Sequence, residues 1–227
     1  MSEFVGFPAE LPEFLFGLQF ENTIEKLPEN KLRYQQLISE PLNALYGALL
    51  PYIEAMGGFE TSRRRCVSSM YADRRFSRAP LREYCYLRFK TAGKETDIPG
   101  FYFDMGCAMY SFGIRIYNFT PDGLRALHGH AAANPGACDA ALGAALAGGF
   151  SLAGADYKKD RFPTLPESPA KSLLRKKTFQ LAKEEPVTGI PFSGRLAVEL
   201  RQGFIQLEPT MELLGKALKT SENNQRL

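Results

Sequence analysis

The side chains best equipped for chemistry in this chain are its arginines, and they are bunched. Arg63, Arg64 and Arg65 stand in a row, and Asp73-Arg74-Arg75-Phe76-Ser77-Arg78 follows shortly after, with Arg82 close behind. A planar guanidinium grips a phosphate or a carboxylate through two parallel hydrogen bonds, which the point charge of a lysine cannot do. A second basic run lies far along the chain and contains Lys158, Lys159, Arg161, Lys171, Arg175, Lys176 and Lys177. By segment, residues 1–59 carry −5, 60–90 carry +6, 91–156 carry −3, 157–177 carry +5 and 178–227 carry 0, so a net charge of +3 conceals two cationic blocks. Eight of the nine positive residues in the first block are arginines, a bias that suits an oxyanion partner. The expectation is a binding module in which Arg75, Arg78 and Arg82 converge with Lys159, Lys171 and Arg175 on a phosphate-bearing ligand, either a nucleotide or nucleic acid. The plainer reading is that both blocks form solvated faces or pair with the acidic N-terminal helices.

Two groups are candidates for handling a proton if the chain is instead an enzyme acting on a phosphorylated or carboxylate small molecule: Asp73 and Tyr102. Alternation along an extended segment places Asp73 and Arg75 on one face, so the carboxylate either holds Arg75 in an ion pair or serves as the catalytic acid or base. A third reading is a protein-interaction domain that presents a basic face to an acidic partner. Tyr84, Tyr86, Phe89, Phe101, Tyr102 and Phe103 crowd neighbouring segments. Such aromatics fill a core, or, interleaved with exposed basic residues, stack on bases.

Other chemistry is thin. His128 and His130 are the whole histidine supply and diverge on a helix, so no metal centre is expected. Cys66, Cys85, Cys107 and Cys138 are spread singly, which fits reduced thiols rather than a zinc or dithiol motif. A Gly-rich phosphate loop, a Gly-x-Ser-x-Gly elbow and a His-Glu-x-x-His helix are all missing from the sequence, and no cofactor is expected.

These side chains must be carried by elements that the hydrophobic period reveals. Residues 4–20 read as a short helix. Leu32, Leu37, Ile38, Leu42, Leu45, Leu49 and Ile53 predict a long amphipathic helix, bent or broken at Pro41 and Pro51 and ended by Gly57-Gly58. The period then changes to two over 64–71, 83–90, 100–105 and 108–117, which predicts four consecutive strands in an antiparallel meander. Thr120-Pro121, Asn134-Pro135 and Ser168-Pro169 each pair a capping residue with a proline suited to the first turn, so three helices should start there. Residues 150–169 read as a loop-rich connection. Helical structure follows from Leu196 onward with an interruption at Pro209, and residues 221–227 are polar and expected to fray.

Composition sets the outer bounds. With 227 residues, 44% hydrophobic and 23% charged, the chain has enough apolar surface for a core and is neither disordered nor collagen-like. No composition shift marks a boundary, so one α+β domain over 1–227 is expected, with a mainly antiparallel central sheet flanked by helices. The longest uncharged stretch, between Asp139 and Asp156, falls short of the ~20 apolar residues of a membrane span. The start at Met1-Ser2-Glu3 has no leader pattern, which predicts a soluble, cytoplasmic protein in which the Asn118 sequon goes unused. The sequence leaves the oligomeric state open.

Phe4-Val5-Gly6-Phe7-Pro8, Glu13-Phe14-Leu15, Tyr34 with Pro41, and Asp73-Arg74-Arg75-Phe76-Ser77 with a basic segment around Pro80 occur in an order that resembles the domain of unknown function 2461 family. Further along, residues 100–103, the strand around Gly113, residues 121–128 and residues 169–177 continue that order. The resemblance therefore covers nearly the whole chain, and the Asp-Arg-Arg-Phe-Ser stretch is its most specific piece. It implies an α+β fold with no established activity, cofactor or substrate. This chain departs from the family pattern in having Glu21-Asn22 and Lys26-Leu27 in place of paired asparagines and a Trp-Phe pair, and it contains no tryptophan.

Overall fold

The computed structural model describes residues 3–75, 77–159 and 162–224, with the backbone alone for 219–224. Phe76 of the arginine-rich motif, Arg161 of the second block and residues 225–227 of the expected frayed end lie outside the described residues. The fold is α+β, with a five-stranded antiparallel sheet. Helices α1 (Leu11–Glu21), α2 (Leu27–Tyr34), α3 (Glu40–Met56) and the single turn α4 (Arg63–Cys66) precede strands β1 (Cys85–Lys90), β2 (Ile98–Met105) and β3 (Met109–Tyr117). Then come α5 (Pro121–Ala133), α6 (Pro135–Ala147), β4 (Ser151–Ala153), α7 (Pro169–Leu174), β5 (Gln180–Pro186) and α8 (Arg195–Asn224). The strand order is β1-β2-β3-β5-β4. Among the described residues no helix is long and apolar enough to cross a membrane.

The chain forms two compact units: Met1–Phe89 with Tyr102–Phe112 and Glu184–Arg201, and Lys90–Phe101 with Gly113–Lys183 and Gln202–Leu227. In the first unit the expected long helix is built in two pieces. The π-helical segment Gln35–Ser39 sits between α2 and α3, just before Pro41. A proline has no N–H to donate to the preceding turn, and widening that turn accommodates the loss without ending the helix. Pro51 is carried inside α3, and Gly57, at φ 67°, ends it as expected. The core here is aromatic: Tyr46 stacks on Phe89 at 6.1 Å, Phe7 on Phe103 at 6.5 Å, and Phe14 meets Tyr34 edge-on. Burying each ring stabilises the unit by a few kcal/mol, in the range of about 1.5–3.

Three of the four expected strands form; the one over 64–71 does not. Glu60 accepts the Ser62 N–H and the Arg65 guanidinium, the Cys66 thiol donates to the Glu60 carbonyl, and the chain curls into α4. Beyond α4 it runs beside β1, with the isolated bridge Val67 to Leu87 and the Ser68 N–H donating to the Tyr86 carbonyl, and a second isolated bridge joins Tyr71 to Leu81 ahead of the strand.

In the second unit the proline-led starts behave as capping chemistry requires. The Thr120 hydroxyl accepts the Gly123 N–H and the Ser168 hydroxyl accepts the Lys171 N–H. α6 is made of small residues and buries Ala141 and Ala145, which lets Thr210 of α8 donate its hydroxyl hydrogen to the Ala141 carbonyl. Phe101 stacks on Phe204 at 4.6 Å. At Gly113 a β-carbon would overlap the Leu181 carbonyl oxygen, so β3 and β5 can lie against each other there only over a glycine. β4 and β5 are absent from the sequence expectation, and β4 lies inside the stretch read as loop. β4 is three residues long, and β5 ends in Lys183-Glu184-Glu185-Pro186, so neither has the aromatic or β-branched content of β2. Their pairing, with Ser151 opposite Ala182 and Ala153 opposite Gln180, is set by tertiary context.

The expected break at Pro209 is also corrected, since α8 runs through it. Pro209 is exposed, and Ile205, whose carbonyl loses its helical donor, is 45% exposed, so water can satisfy that oxygen. The buried stripe of Leu200, Phe204, Leu207, Met211 and Leu214 continues unbroken. All four cysteines are free, and three are buried, as expected of reduced core thiols. Burial pushes the Cys66 thiol up to about 12 and the Cys138 thiol up to about 11, which makes both poor nucleophiles.

Candidate functional site

The candidate cations fall in different units: Arg75, Arg78 and Arg82 in the first, Lys159, Lys171 and Arg175 in the second. Within the second unit the acids are close at hand. The single helical turn after Ser168 brings Lys171 and Arg175 onto one carboxylate, Glu167. Lys171 Nζ lies 2.8 Å from Oε1, and the Arg175 guanidinium binds Oε1 and Oε2 at 2.8 and 3.0 Å. Lys171 is only 4% exposed and also donates to the Leu165 carbonyl at 2.7 Å. Lys176 pairs with Asp156 at 3.0 Å across an isolated bridge. Lys159 is exposed and has no ion pair or hydrogen bond among the described residues.

In the first unit, the Ala72 N–H donates to the Pro80 carbonyl. Asp73 and Arg75 pair there, Nε and Nη2 of the arginine binding the carboxylate at 3.0 and 2.6 Å, while the Arg75 N–H adds a third bond. The Arg75 guanidinium and N–H hold the Asp73 carboxyl down at about 2, far below the range of a general base at neutral pH. Tyr102 is fully buried, with its hydroxyl 2.9 Å from the Ser111 hydroxyl. Arg74 and Arg78 are exposed and unpaired among the described residues.

First-unit residues line an open groove of about 660 Å³. The π-helical segment and the start of α3 supply one wall, with Gln35, Glu40 and Asn43; α4 supplies Arg63 and Arg64; the segment Ser68–Met70 completes it. Asn43 donates to the Ser39 carbonyl and accepts from Arg63 Nε, both at 2.6 Å, so one guanidinium is fixed at the rim. Arg65 turns away to Glu60. Arg64 is exposed in the lining and has no partner among the described residues. Glu40, hydrogen-bonded by Gln35 at 3.5 Å, is the acid of this lining, so Arg63 and Arg64 leave it net positive.

Arg82 joins this groove to a row of rings. Its N–H donates to the Met70 carbonyl and its Nε to the Ser69 carbonyl, while Nη1 donates to the Tyr84 hydroxyl. Its guanidinium lies 5.2 Å from the ring centres of both Tyr84 and Tyr86. Phe89, Phe101, Tyr102 and Phe103 are core, whereas Tyr84 is 41% exposed.

Sequence reasoning placed Arg64 in a basic run without singling it out, and it missed Asn43, Ser68 and Ser69. Nothing local marks those three, because only the turn at α4 brings them to one groove. The ring row was spelled more plainly, as Arg82, Tyr84, Tyr86 and Arg88 at every second position.

Among the described residues no group of three or more His, Cys, Asp or Glu is arranged to hold a metal ion. Neither the curated proteins nor the solved structures contain a match to this chain. One family model does match, described as conserved hypothetical protein (DUF2461), and it spans residues 10–213, which include the groove, the ring row and both basic blocks. On that coverage the chain belongs to the DUF2461 family.

Proposed function

We propose that the protein is a binding module for phosphate-bearing ligands, nucleotide or nucleic acid, and that its binding site is the first-unit groove. The observation that carries this is Arg64, a guanidinium in the lining of a 660 Å³ groove with no counter-charge among the described residues, beside an Arg63 already oriented by Asn43. An arginine with no internal partner keeps its forked donors for an external oxyanion, and a neighbour held in place loses less freedom on binding. The hydroxyls of Ser68 and Ser69 add polar atoms to the same lining. In the second block Lys171, Arg175 and Lys176 are already occupied by Glu167 and Asp156 and keep fewer donors for an external oxyanion. A cytoplasmic setting suits the reading, since it holds such ligands and keeps the four free thiols reduced.

The test is a binding titration of a nucleoside triphosphate and a short oligonucleotide at low and at physiological salt. Binding should weaken as salt rises, and Arg64→Glu should weaken it about tenfold or more, while Arg175→Glu should leave it near the parent value. Equal affinity of parent and Arg64→Glu for both ligands would remove the proposal.

A further inference from the structure

We infer that the ligand is a single strand of nucleic acid, with its phosphates at the Arg64 groove and its unpaired bases on the tyrosine face that leads into β1. This rests on the proposal that the groove takes phosphate, and it adds what the phosphates are attached to.

Tyr86 and Arg88 alternate with the buried Cys85, Leu87 and Phe89, so they project from the opposite face, and Arg82 and Tyr84, in the bend before the strand, pack against them. On that face cations and rings alternate. The Arg88 guanidinium lies 3.8 Å from the Tyr86 ring centre, Arg82 lies 5.2 Å from both tyrosine rings, and the rings themselves are 6.1 Å apart at 34°. Arg82 is fixed by donating to the Tyr84 hydroxyl and to the carbonyls of Ser69 and Tyr71, so it braces the rings. Rings needed for a core are buried, as Phe89 is; Tyr84 and Tyr71 remain 41% and 46% exposed. An exposed ring steadied by a guanidinium offers a flat apolar surface with positive charge at its margin. That is what an unpaired base with its phosphate requires.

The face and the groove are joined by hydrogen bonds. The Tyr86 N–H donates to the Ser68 hydroxyl and the Arg82 N–H to the Met70 carbonyl, and Ser68 and Met70 line the groove. A small phosphorylated metabolite would use the groove alone. A duplex keeps its base faces stacked on each other and has none to offer. Only a strand with free bases engages both surfaces, and Arg74 and Arg78, on the loop beyond Tyr71, extend the cationic path for its backbone.

The experiment is fluorescence anisotropy on the full chain with a labelled strand of about twelve nucleotides, as DNA and as RNA, and with the corresponding duplex. The strand should bind at least tenfold tighter than the duplex, and either sugar supports the inference. Tyr84→Ala should weaken strand binding roughly five- to a hundredfold, the range that loss of one stacked base produces, with an unchanged salt slope because the phosphates stay bound as before. Tyr84→Phe, which keeps the ring, should bind more tightly than Tyr84→Ala. Tyr84→Leu, which keeps an apolar side chain on the strand and removes the ring, should behave like Tyr84→Ala and separates stacking from folding. Arg64→Glu should instead flatten the salt dependence by about 0.7 for each phosphate no longer neutralised. If Tyr84→Ala and Tyr84→Leu bind like the parent while Arg64→Glu still weakens binding, the stacking inference is overturned and the phosphate site stands. Equal affinity for strand and duplex overturns it too. If Arg64→Glu changes nothing, the phosphate site fails and the inference with it.

Discussion

The two basic blocks look alike as sequence, +6 over residues 60–90 and +5 over 157–177, and unlike as structure. In the second block a single carboxylate, Glu167, is four residues before Lys171 and eight before Arg175, so the first turn of α7 collects both cations onto it. Asp156 meets Lys176 across a bridge, and Lys159 alone of the three candidate cations there is without a partner among the described residues. In the first block Glu60 takes Arg65 and Asp73 takes Arg75, and Arg64, Arg74 and Arg78 are left without partners among the described residues. What separates a structural charge cluster from a candidate binding surface is therefore where the acids fall, not how many bases there are.

That contrast can be broken in order of effect. The largest response should come from the second block and should be in stability. Lys171→Ala removes a side chain that is 4% exposed, with its carbonyl partner at Leu165 and its buried stem, and should lower unfolding free energy by about 1–3 kcal/mol in a urea titration. Arg64→Glu in the same assay should leave the midpoint where it is, because the side chain is exposed and meets no acid. A loss of stability in Arg64→Glu matching that of Lys171→Ala would erase the distinction. The next response is in binding and reverses the order. Arg64→Glu should reduce affinity for a short oligonucleotide about tenfold, and Arg175→Glu should not, as read by a salt-titrated anisotropy series.

A smaller effect follows from pH. Hydrogen bonds from Lys171 and Arg175 hold the Glu167 carboxyl below its ordinary value. A carboxyl whose folded value is below its unfolded one stabilises the fold fully above the unfolded value, near pH 4, and that stabilisation is lost as pH falls through the lower folded value. Glu167 is exposed, so water screens the effect and it should be modest. The urea midpoint of the parent should fall more between pH 5 and 3 than that of Glu167→Gln, which has no carboxylate there to protonate. Identical pH profiles would mean that Glu167 does not serve as the counter-ion.

These contrasts bear on how much could be read beforehand. Class and antiparallel sheet were legible because β1, β2 and β3 are dense in aromatics, and the helix starts at Thr120, Asn134 and Ser168 because proline in the first turn acts locally, with the Thr120 and Ser168 hydroxyls capping theirs. β4 and β5 were not, since their strand state comes from pairing. The turn at α4 was not either, since it depends on Glu60 reaching Arg65 and Ser62. The site was legible as a list of arginines and illegible as a place. Which arginine lacks a counter-ion depends on pairings such as Arg63 with Asn43, twenty positions apart.

The finest test of the comparison is Asp73, the acid that makes one corner of the first block resemble the second. Its carboxylate occupies two donors of Arg75 and is held at about 2, so at neutral pH it is ionised and the guanidinium is engaged. Asp73→Asn removes the charge and weakens the clamp without changing the size of the side chain. If the first block is a surface for phosphates, that surface gains one unit of net positive charge. Affinity for the oligonucleotide should then rise a fewfold and the salt slope should steepen by about 0.7, while the urea midpoint stays put because the pair is exposed. If the variant instead loses binding with the fold intact, the carboxylate itself meets the ligand, and the reading of Asp73 as a proton-handling residue regains its force. The sign of one small change thus tells whether Asp73 is a counter-ion, like Glu167, or part of the site.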